Sequence, residues 1–390
     1  MSRGNPLPMG LPEMANRESP FAAACKTAQD LGNLAEEVRR FDPGLPLDDA
    51  LTPPASWYTE PGFLDLERET VFRGSWQYAG RSSLLQRPGD FFTGNFLGRP
   101  YVALRDEAGE VRAYYNVCAH HAACVASGEG NTDRLVCPYH GWTYGLDGRL
   151  QKAPRAGAIS RFAHKNLRLK PLPVHIWGPF VFVHFGGSAD SSPFPLANSL
   201  DAFRPWFPAQ PAFVKQVTYR LDCNWKVFVD NYLDGGYHVP HMHKALSAHL
   251  NLKSYASRLG ELYSIQTCGG TDNEADSRVG DSAYYAWLYP NFMVNRYGRW
   301  LDTNWVVPLD HRSCLTVFDY YHDGPISDSE AVKALSDSDC VQQEDIQIAA
   351  MVQTGLGSGA YDQGVYAPRY EAPMYHFHRL LHRDLTGAVG

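Results

Sequence analysis

The apolar positions of the chain come in two rhythms. Between residues 26 and 41, Leu31, Leu34, Ala35 and Val38 recur at i, i+3, i+4 and i+7, the spacing of one helical face. Phe41-Asp42-Pro43-Gly44 then stops the helix, and a Pro-rich connection follows over residues 45–61. From about Trp76 the rhythm shortens to alternating residues broken by turns. Residues 101–105 and 110–115, joined across Asp106 to Gly109, predict a hairpin. Residues 142–146 and 149–151 predict a second, with Asp147-Gly148 supplying a turn of positive φ. The apolar run over residues 178–186 predicts a buried strand. An all-β domain over residues 55–186 follows, after an N-terminal leader and helix over residues 1–54.

Residues 188–211, with their Ser, Pro and Ala, read as a crossing into a second domain over residues 187–390. Strands are expected there at 214–221, 301–308 and 314–321. A long helix is expected from about Ser327 to Gln353, with a break inside it. The fold class is therefore α+β.

Composition narrows the function classes. At 390 residues the chain has room for two domains, and 44% hydrophobic with 20% charged residues is ordinary for a globular protein. A net charge of −7 with no basic stripe argues against sequence-blind nucleic-acid binding. With no apolar run of about 18 residues, no membrane helix is expected. The N-terminus lacks a basic region followed by an apolar one, and Glu13 and Glu18 weaken a transit-peptide reading of the leader. Of the eight cysteines only Cys118, Cys124 and Cys137 lie close together, which suits metal binding in a reducing cytoplasm better than a disulfide framework.

Two stretches carry chemistry. Cys118-Ala119-His120 and Cys137-Pro138-Tyr139-His140 are mixed Cys/His pairs, each expected at a hairpin tip. The ligand types alone would suit a Cys2His2 zinc site, but zinc sites usually pair Cys with Cys and His with His. Mixed pairs on two loops suit a [2Fe–2S] cluster with both thiolates on one iron and both imidazoles on the other. His121 and Cys124 do not share the pairing and are left out.

The second stretch, residues 230–243, holds His238, His241 and His243 with Asp230 and Asp234. Imidazoles and a carboxylate can hold Fe(II) on one face and leave positions open. A helix would put Asn231, Asp234 and His238 on one side. Pro240 would then break it, leaving His243 to swing back towards His238.

The pattern C-x-H-x16-C-x2-H, with Cys137-Pro-Tyr-His-Gly-Trp142, resembles the Rieske non-haem iron oxygenases. The resemblance implies a Rieske domain with its cluster on Cys118, His120, Cys137 and His140. It implies a helix-grip catalytic domain, a curved antiparallel sheet gripping helices, with iron on His238 and His243. A homotrimer, O2 as co-substrate, and a ferredoxin or ferredoxin/flavin reductase as electron donor are also implied. The family's third iron ligand comes from a late helix, which makes it Asp345, with Glu344 as the alternative. Many members place an acid three residues before the first iron histidine, bonded to a cluster histidine of the neighbouring subunit. Gly235 stands at that place here, so the bridge is assigned to Asp234, four before. Asp234 and Asn231 are the catalytic candidates.

In the C-terminal half the resemblance narrows to the choline monooxygenases. Residues 230–240, 289–298, 341–346 and 352–356 carry it, with Phe377-His378. It implies hydroxylation of choline or a related quaternary ammonium compound; from choline the product is betaine aldehyde hydrate. A quaternary ammonium donates no hydrogen bond and is held by aromatic faces. The aromatic density between Tyr284 and Trp305 offers candidates, although such density also builds cores. Trp287, Tyr289, Phe292 and Tyr297 are taken as pocket residues, with His241 lining the site. Ala349-Ala350 and His241 depart from the pattern, so the substrate could be another quaternary ammonium compound.

Overall fold

The computed structural model describes residues 28–157, 166–187, 194–195, 211–248, 250–270 and 282–389. They divide into two compact units, one within Trp76–Pro193 and one combining residues of Ala23–Ser75 and Phe194–Gly390. The first unit thus begins at Trp76, not at residue 55. Residues 55–75 belong with the second because Phe41, Trp57 and Phe63 form one aromatic column there, with ring centroids 5.8 Å apart. The leader over residues 1–20 and most of the crossing over residues 188–211 lie outside the described residues.

The first unit is all β. Strands β1 (Trp76–Arg81), β10 (Val174–Trp177) and β11 (Phe180–His184) form an antiparallel sheet in the order β1-β11-β10. A second sheet runs β5-β2-β3-β4-β9, from Glu129–Asn131, Asp90–Phe96, Arg99–Arg105, Val111–Tyr115 and Pro171–Leu172. Both expected hairpins are present: β3 pairs with β4, and β7 (Thr143–Tyr144) with β8 (Leu150–Lys152) across Gly148 at φ +78°. The strand expected over residues 178–186 is β11, buried along its length. A third small sheet, β6-β7-β8, starts at β6 (Leu135–Val136). Tyr101 links two of the sheets by donating its hydroxyl hydrogen to the Ala79 carbonyl at 2.7 Å.

The second unit is built on a seven-stranded antiparallel sheet in the order β12-β18-β17-β16-β15-β14-β13. Its strands are β12 (Pro211–Leu221), β13 (Leu250–Leu259), β14 (Tyr263–Gly270), β15 (Ser282–Leu288), β16 (Phe292–Tyr297), β17 (Trp300–Asp310) and β18 (Ser313–Asp323). Helices α1 (Ala28–Arg39), α2 (Ser56–Thr59), α3 (Pro61–Glu67), α4 (Trp225–Leu233), α5 (Val239–Met242), α6 (Lys244–Ser247), α7 (Asp328–Leu356) and α8 (Ala372–Val389) complete it. Leu34, Ala35 and Val38 of α1 are buried as the periodicity requires, whereas Leu31 is 44% exposed.

The break expected in the late helix is absent. Helix α7 runs 29 residues without interruption, opened by a capping box between Ser327 and Glu330. Its Ser336-Asp337-Ser338-Asp339 run is poor in helix formers, and tertiary contact holds it instead. Ser338 is buried against Tyr320, hydroxyl to hydroxyl at 2.9 Å, and Asp337 pairs with Lys333 one turn back at 3.0 Å.

Candidate metal centres and the adjoining cavity

Two loops of the first unit hold the Cys/His pairs, and their backbones match. Ala122 N–H donates to the Cys118 carbonyl and Gly141 N–H to the Cys137 carbonyl, each at 3.0 Å. Cys118 N–H in turn donates to the Ala123 carbonyl and Cys137 N–H to the Trp142 carbonyl, each at 2.8 Å. Both loops close through a residue of positive φ, Ala122 at +61° and Gly141 at +70°. Glycine suits the second position for that reason. Only the second loop is a hairpin tip, between β6 and β7. The first follows β4 and leads to β5, which are not neighbours in their sheet.

The loops bury the two sulfurs and expose the two imidazoles. Cys118 and Cys137 are 3% and 2% exposed, in a cluster with Leu135, Trp142 and Tyr144. His120 and His140 are exposed, their ring centroids 4.7 Å apart, and His120 lies flat on Trp142. The Tyr144 hydroxyl is 3.1 Å from Cys118 Sγ and accepts from Ala119 N–H, which leaves its own hydrogen available to a metal-bound thiolate. Soft donors inside and imidazoles outside fit a cluster whose histidine-bound iron faces solvent.

In the second unit, the expected helix through Asn231, Asp234 and His238 ends early. Asn224 caps the start of α4, accepting from Lys226 N–H, and the helix stops at Leu233. Gly235 and Gly236 follow at φ +70° and +73°. A Cβ at residue 235 would run into the Tyr370 carbonyl, and one at 236 would sit 2.9 Å from the Tyr255 ring. The break therefore belongs to the glycines and not to Pro240, which sits harmlessly in the first turn of α5. The reversal brings His238 back onto Asp234. Asp234 Oδ2 accepts from His238 N–H at 3.0 Å and from His238 Nδ1 at 2.6 Å, while Oδ1 accepts from Gly236 N–H and Tyr237 N–H.

His238, His243 and Asp345 converge, with one ligand atom of each within 4.8 Å of the others. Asp345 Oδ1 stands 3.1 Å from His243 Nε2 and 4.0 Å from His238 Nε2. Each ring has its other nitrogen held by a different carboxylate: His238 by Asp234, and His243 by Glu344 Oε2 at 2.6 Å. Glu344 is thus turned to the far nitrogen of His243, away from the convergence point. Asn231 Nδ2 donates to Asp345 Oδ1 at 2.9 Å. Burial works against a charged His243, but Asp345 and then Glu344 outweigh it and raise its pKa. Nitrogen and oxygen donors in a facial triangle, each anchored from behind, fit a mononuclear iron.

Asp230, the other acid of the stretch, is committed elsewhere. It accepts from Tyr58 Oη at 2.8 Å and His378 Nε2 at 2.9 Å, and Tyr366 donates to His378 Nδ1 at 2.6 Å. His241 is exposed and does not line the site.

A cavity of about 370 Å³ opens beside the triangle. His238, His243 and Asp345 form one side, and Tyr232, Tyr255, Tyr285, Tyr297 and Phe318 supply aromatic surface. Burial, then neighbouring groups, hold the Tyr232 and Tyr255 hydroxyls well above the usual phenol range, so both stay neutral. Of the aromatic pocket residues read from the sequence, Tyr297 is in the lining and three are not. Trp287 is fully buried, its indole N–H on the Pro290 carbonyl and its ring against Phe377 of α8. Tyr289 donates to Asp384, and Phe292 pairs with Leu288 and Trp305 in register on the sheet face opposite Tyr297. Period-two alternation separates Phe292 from Tyr297, while helix α8 covers Trp287 and Tyr289. Tyr285 lay among the sequence's aromatic candidates without being selected, and Tyr232, Tyr255, Phe318 and Asp302 are lining residues that sequence reasoning missed.

Known proteins with the same features fix the class. Residues 75–163 match the Rieske [2Fe-2S] domain, and residues 209–387 match the ring hydroxylating alpha subunit (catalytic domain). The chain is an oxygenase of the Rieske type, with a [2Fe–2S] cluster, a mononuclear iron and O2 as its reactive components. Chloroplastic choline monooxygenase of Arabidopsis thaliana is 44% identical over 372 residues, spanning 91% of this chain and 88% of that protein. The carnitine monooxygenase oxygenase subunit of Escherichia coli (strain K12) is 29% identical over 352 residues, 85% of this chain and 93% of its own. A solved quaternary ammonium Rieske monooxygenase, described for carnitine oxidation by gut microbiota and inter-subunit electron transfer, shares the fold at TM-score 0.77. It is 24% identical and covers 90% of this chain and 98% of that one. The chain belongs to the choline monooxygenase family of Rieske oxygenases. Like other Rieske oxygenases it draws electrons from a redox partner and acts on a small molecule. Among the described residues, no helix is long and apolar enough to cross a membrane.

Proposed function

We propose that the enzyme is a quaternary ammonium monooxygenase and that its substrate is choline. The observation that carries this is the cavity: an aromatic surface stands against the two histidines and the aspartate, where a trimethylammonium group can be held while the carbinol carbon faces the metal side. The reaction balances as choline plus O2, two electrons and two protons giving betaine aldehyde hydrate and water. Cys118, His120, Cys137 and His140 hold the cluster, and His238, His243 and Asp345 hold the iron. When bound, these groups supply single electrons and oxygen activation.

The protein residues do the rest. Asn231 fixes the Asp345 carboxylate. Glu344 and Asp234 fix the two rings. Asp234 also extends towards a cluster histidine of a neighbouring subunit in a homotrimer. A ferredoxin or a ferredoxin/flavin reductase supplies the electrons, and the exposed His120 and His140 give it an electron entry point. A reducing compartment such as the cytoplasm suits the chain, although the plant relative is chloroplastic.

The test is substrate-dependent oxygen uptake with choline, carnitine, glycine betaine and aromatic acids, with betaine aldehyde measured as product. Choline gives the highest kcat/KM and uptake matches product one to one. Preference for carnitine would move the assignment to that substrate. Preference for an aromatic acid would remove the quaternary ammonium reading.

A further inference from the structure

One buried carboxyl group in the cavity wall is not used by the metal triangle. Asp302 is 2% exposed and lies on β17 among the lining residues. It stands opposite Asn295 of β16 and Tyr320 of β18 in register, so it shares the sheet face that carries Tyr285 and Tyr297. The neighbouring amides hold it in place. Asn295 Nδ2 donates to Asp302 Oδ1 at 2.7 Å and to Asn304 Oδ1 at 2.6 Å, and Tyr232 Oη donates to Asn295 Oδ1 at 2.8 Å. Asn295 is therefore oriented with its amide donors towards the carboxylate and its carbonyl towards the tyrosine.

A carboxylate taken out of water is costly, and a neutral or apolar residue would fill the same sheet position at less cost. Its placement on the wall of an aromatic cavity gives the charge a use. Resting on the quaternary ammonium reading, we propose that Asp302 is a specificity-determining residue. It faces the onium group, favours cationic substrates that carry no acid, and disfavours those that bring a carboxylate into the same space. Aromatic faces alone attract an onium centre whatever else the molecule carries. A fixed negative charge in a partly dry cavity separates choline from glycine betaine, because like charges at close range repel there far more than in water.

The test uses the holoenzyme and three ligands: choline, its uncharged carbon isostere 3,3-dimethylbutan-1-ol, and glycine betaine. Binding is measured by calorimetry, and KM and kcat by oxygen uptake. Wild type binds choline at least about tenfold more tightly than the isostere. Asp302→Asn keeps the acceptor for Asn295; it weakens choline at least about tenfold, leaves the isostere within about twofold, and narrows the gap between choline and glycine betaine. Its KM for choline rises more than its kcat falls. An equal loss for choline and isostere marks a structural role and overturns the proposal, as does an unchanged choline affinity. If the variant does not fold, the wild-type ratio decides: equal affinity for choline and isostere rejects a charge-selecting wall. Wild type that binds aromatic acids and not choline overturns the substrate reading itself, a result seen before any variant is made.

Discussion

Glu344→Ala separates the carboxylate that positions a ligand from the one that is a ligand. In the structure Glu344 Oε2 accepts from His243 Nδ1 at 2.6 Å, while Asp345 Oδ1 faces the Nε2 atoms of both rings. A hydrogen bond to a charged group contributes about 1.5–3 kcal/mol. The Glu344 side chain is 44% exposed, so solvent screening puts its contribution at the low end, about 1.5 kcal/mol. That is about tenfold in iron affinity, at the lower edge of the roughly 10–100-fold typical of residues that orient a metal-bound histidine. Asp345→Ala removes a donor atom and loses far more. The assay is anaerobic equilibrium dialysis against buffered Fe(II), with the visible absorbance of the Rieske cluster as an internal control. Both variants keep that absorbance, because the cluster loops belong to the other unit. Glu344→Ala binds iron about tenfold more weakly and still saturates at higher Fe(II), whereas Asp345→Ala does not. If Asp345→Ala retained iron and Glu344→Ala lost it, the assignments would be reversed. If Glu344→Ala bound iron like wild type, the orienting role would be wrong.

Other consequences can be checked alongside. Tyr144→Phe removes the hydroxyl 3.1 Å from Cys118 Sγ and lowers the cluster midpoint potential by tens of millivolts, since about 1.5 kcal/mol is roughly 60 mV for one electron; voltammetry reads it. His241→Ala leaves iron content and the KM for choline unchanged, because the ring is exposed and outside the cavity; a loss of iron would restore His241 as a ligand candidate. Lys226 and Glu67 form a fully buried pair at 2.5 Å, and Lys226→Met costs about 3–5 kcal/mol in thermal unfolding. Glu67→Gln combined with Lys226→Met recovers most of that loss, because glutamine still accepts from Trp225 Nε1. Moving the acid by Asp234→Ala with Gly235→Asp fails to restore iron binding, since a side chain at 235 meets the Tyr370 carbonyl.

What could be read from the sequence was local and chemical. Ligand spacing in Cys118-x-His120 and Cys137-x2-His140 is set by loops whose backbone closes over four residues, so the motif carries its own geometry. His238 and His243 flank the short helix α5, so their convergence is also set by a local stretch of chain. The position of the helix break was not legible: Pro240 is the stronger helix breaker on paper, but Gly235 and Gly236 have already turned the chain before it. The pocket depended on long-range pairing. Aromatic density could not tell Trp287 under α8 from Tyr285 in the cavity, because that difference lies in a helix almost a hundred residues later. A usable signal was present in Asp302-Thr303-Asn304. Two polar side chains at i and i+2 inside an apolar strand point to one face and one shared purpose.

The spacing of Asp234 now has a physical reason. An acid three residues before the first iron histidine needs a side chain where this chain has a left-handed glycine pressed against a carbonyl. With two such glycines reversing the chain, the residue four before the histidine is brought back onto it, and Asp234 reaches both the backbone N–H and Nδ1 of His238. The charge around the site follows from that arrangement. With Fe(II) held by the proposed ligands, Asp234, Glu344 and Asp345 would put three carboxylates about it, a formal surplus of one negative charge. Lys333 and Asp337, also in the lining, cancel each other at 3.0 Å. Asp302 adds a further carboxyl group to the lining, from the sheet and not from the elements that carry the ligands. On the proposed reading, a metal-loaded cavity that stays negative would attract a permanent cation, and Asp302 on the sheet would add the discrimination against a carboxylate that the choline and glycine betaine comparison tests.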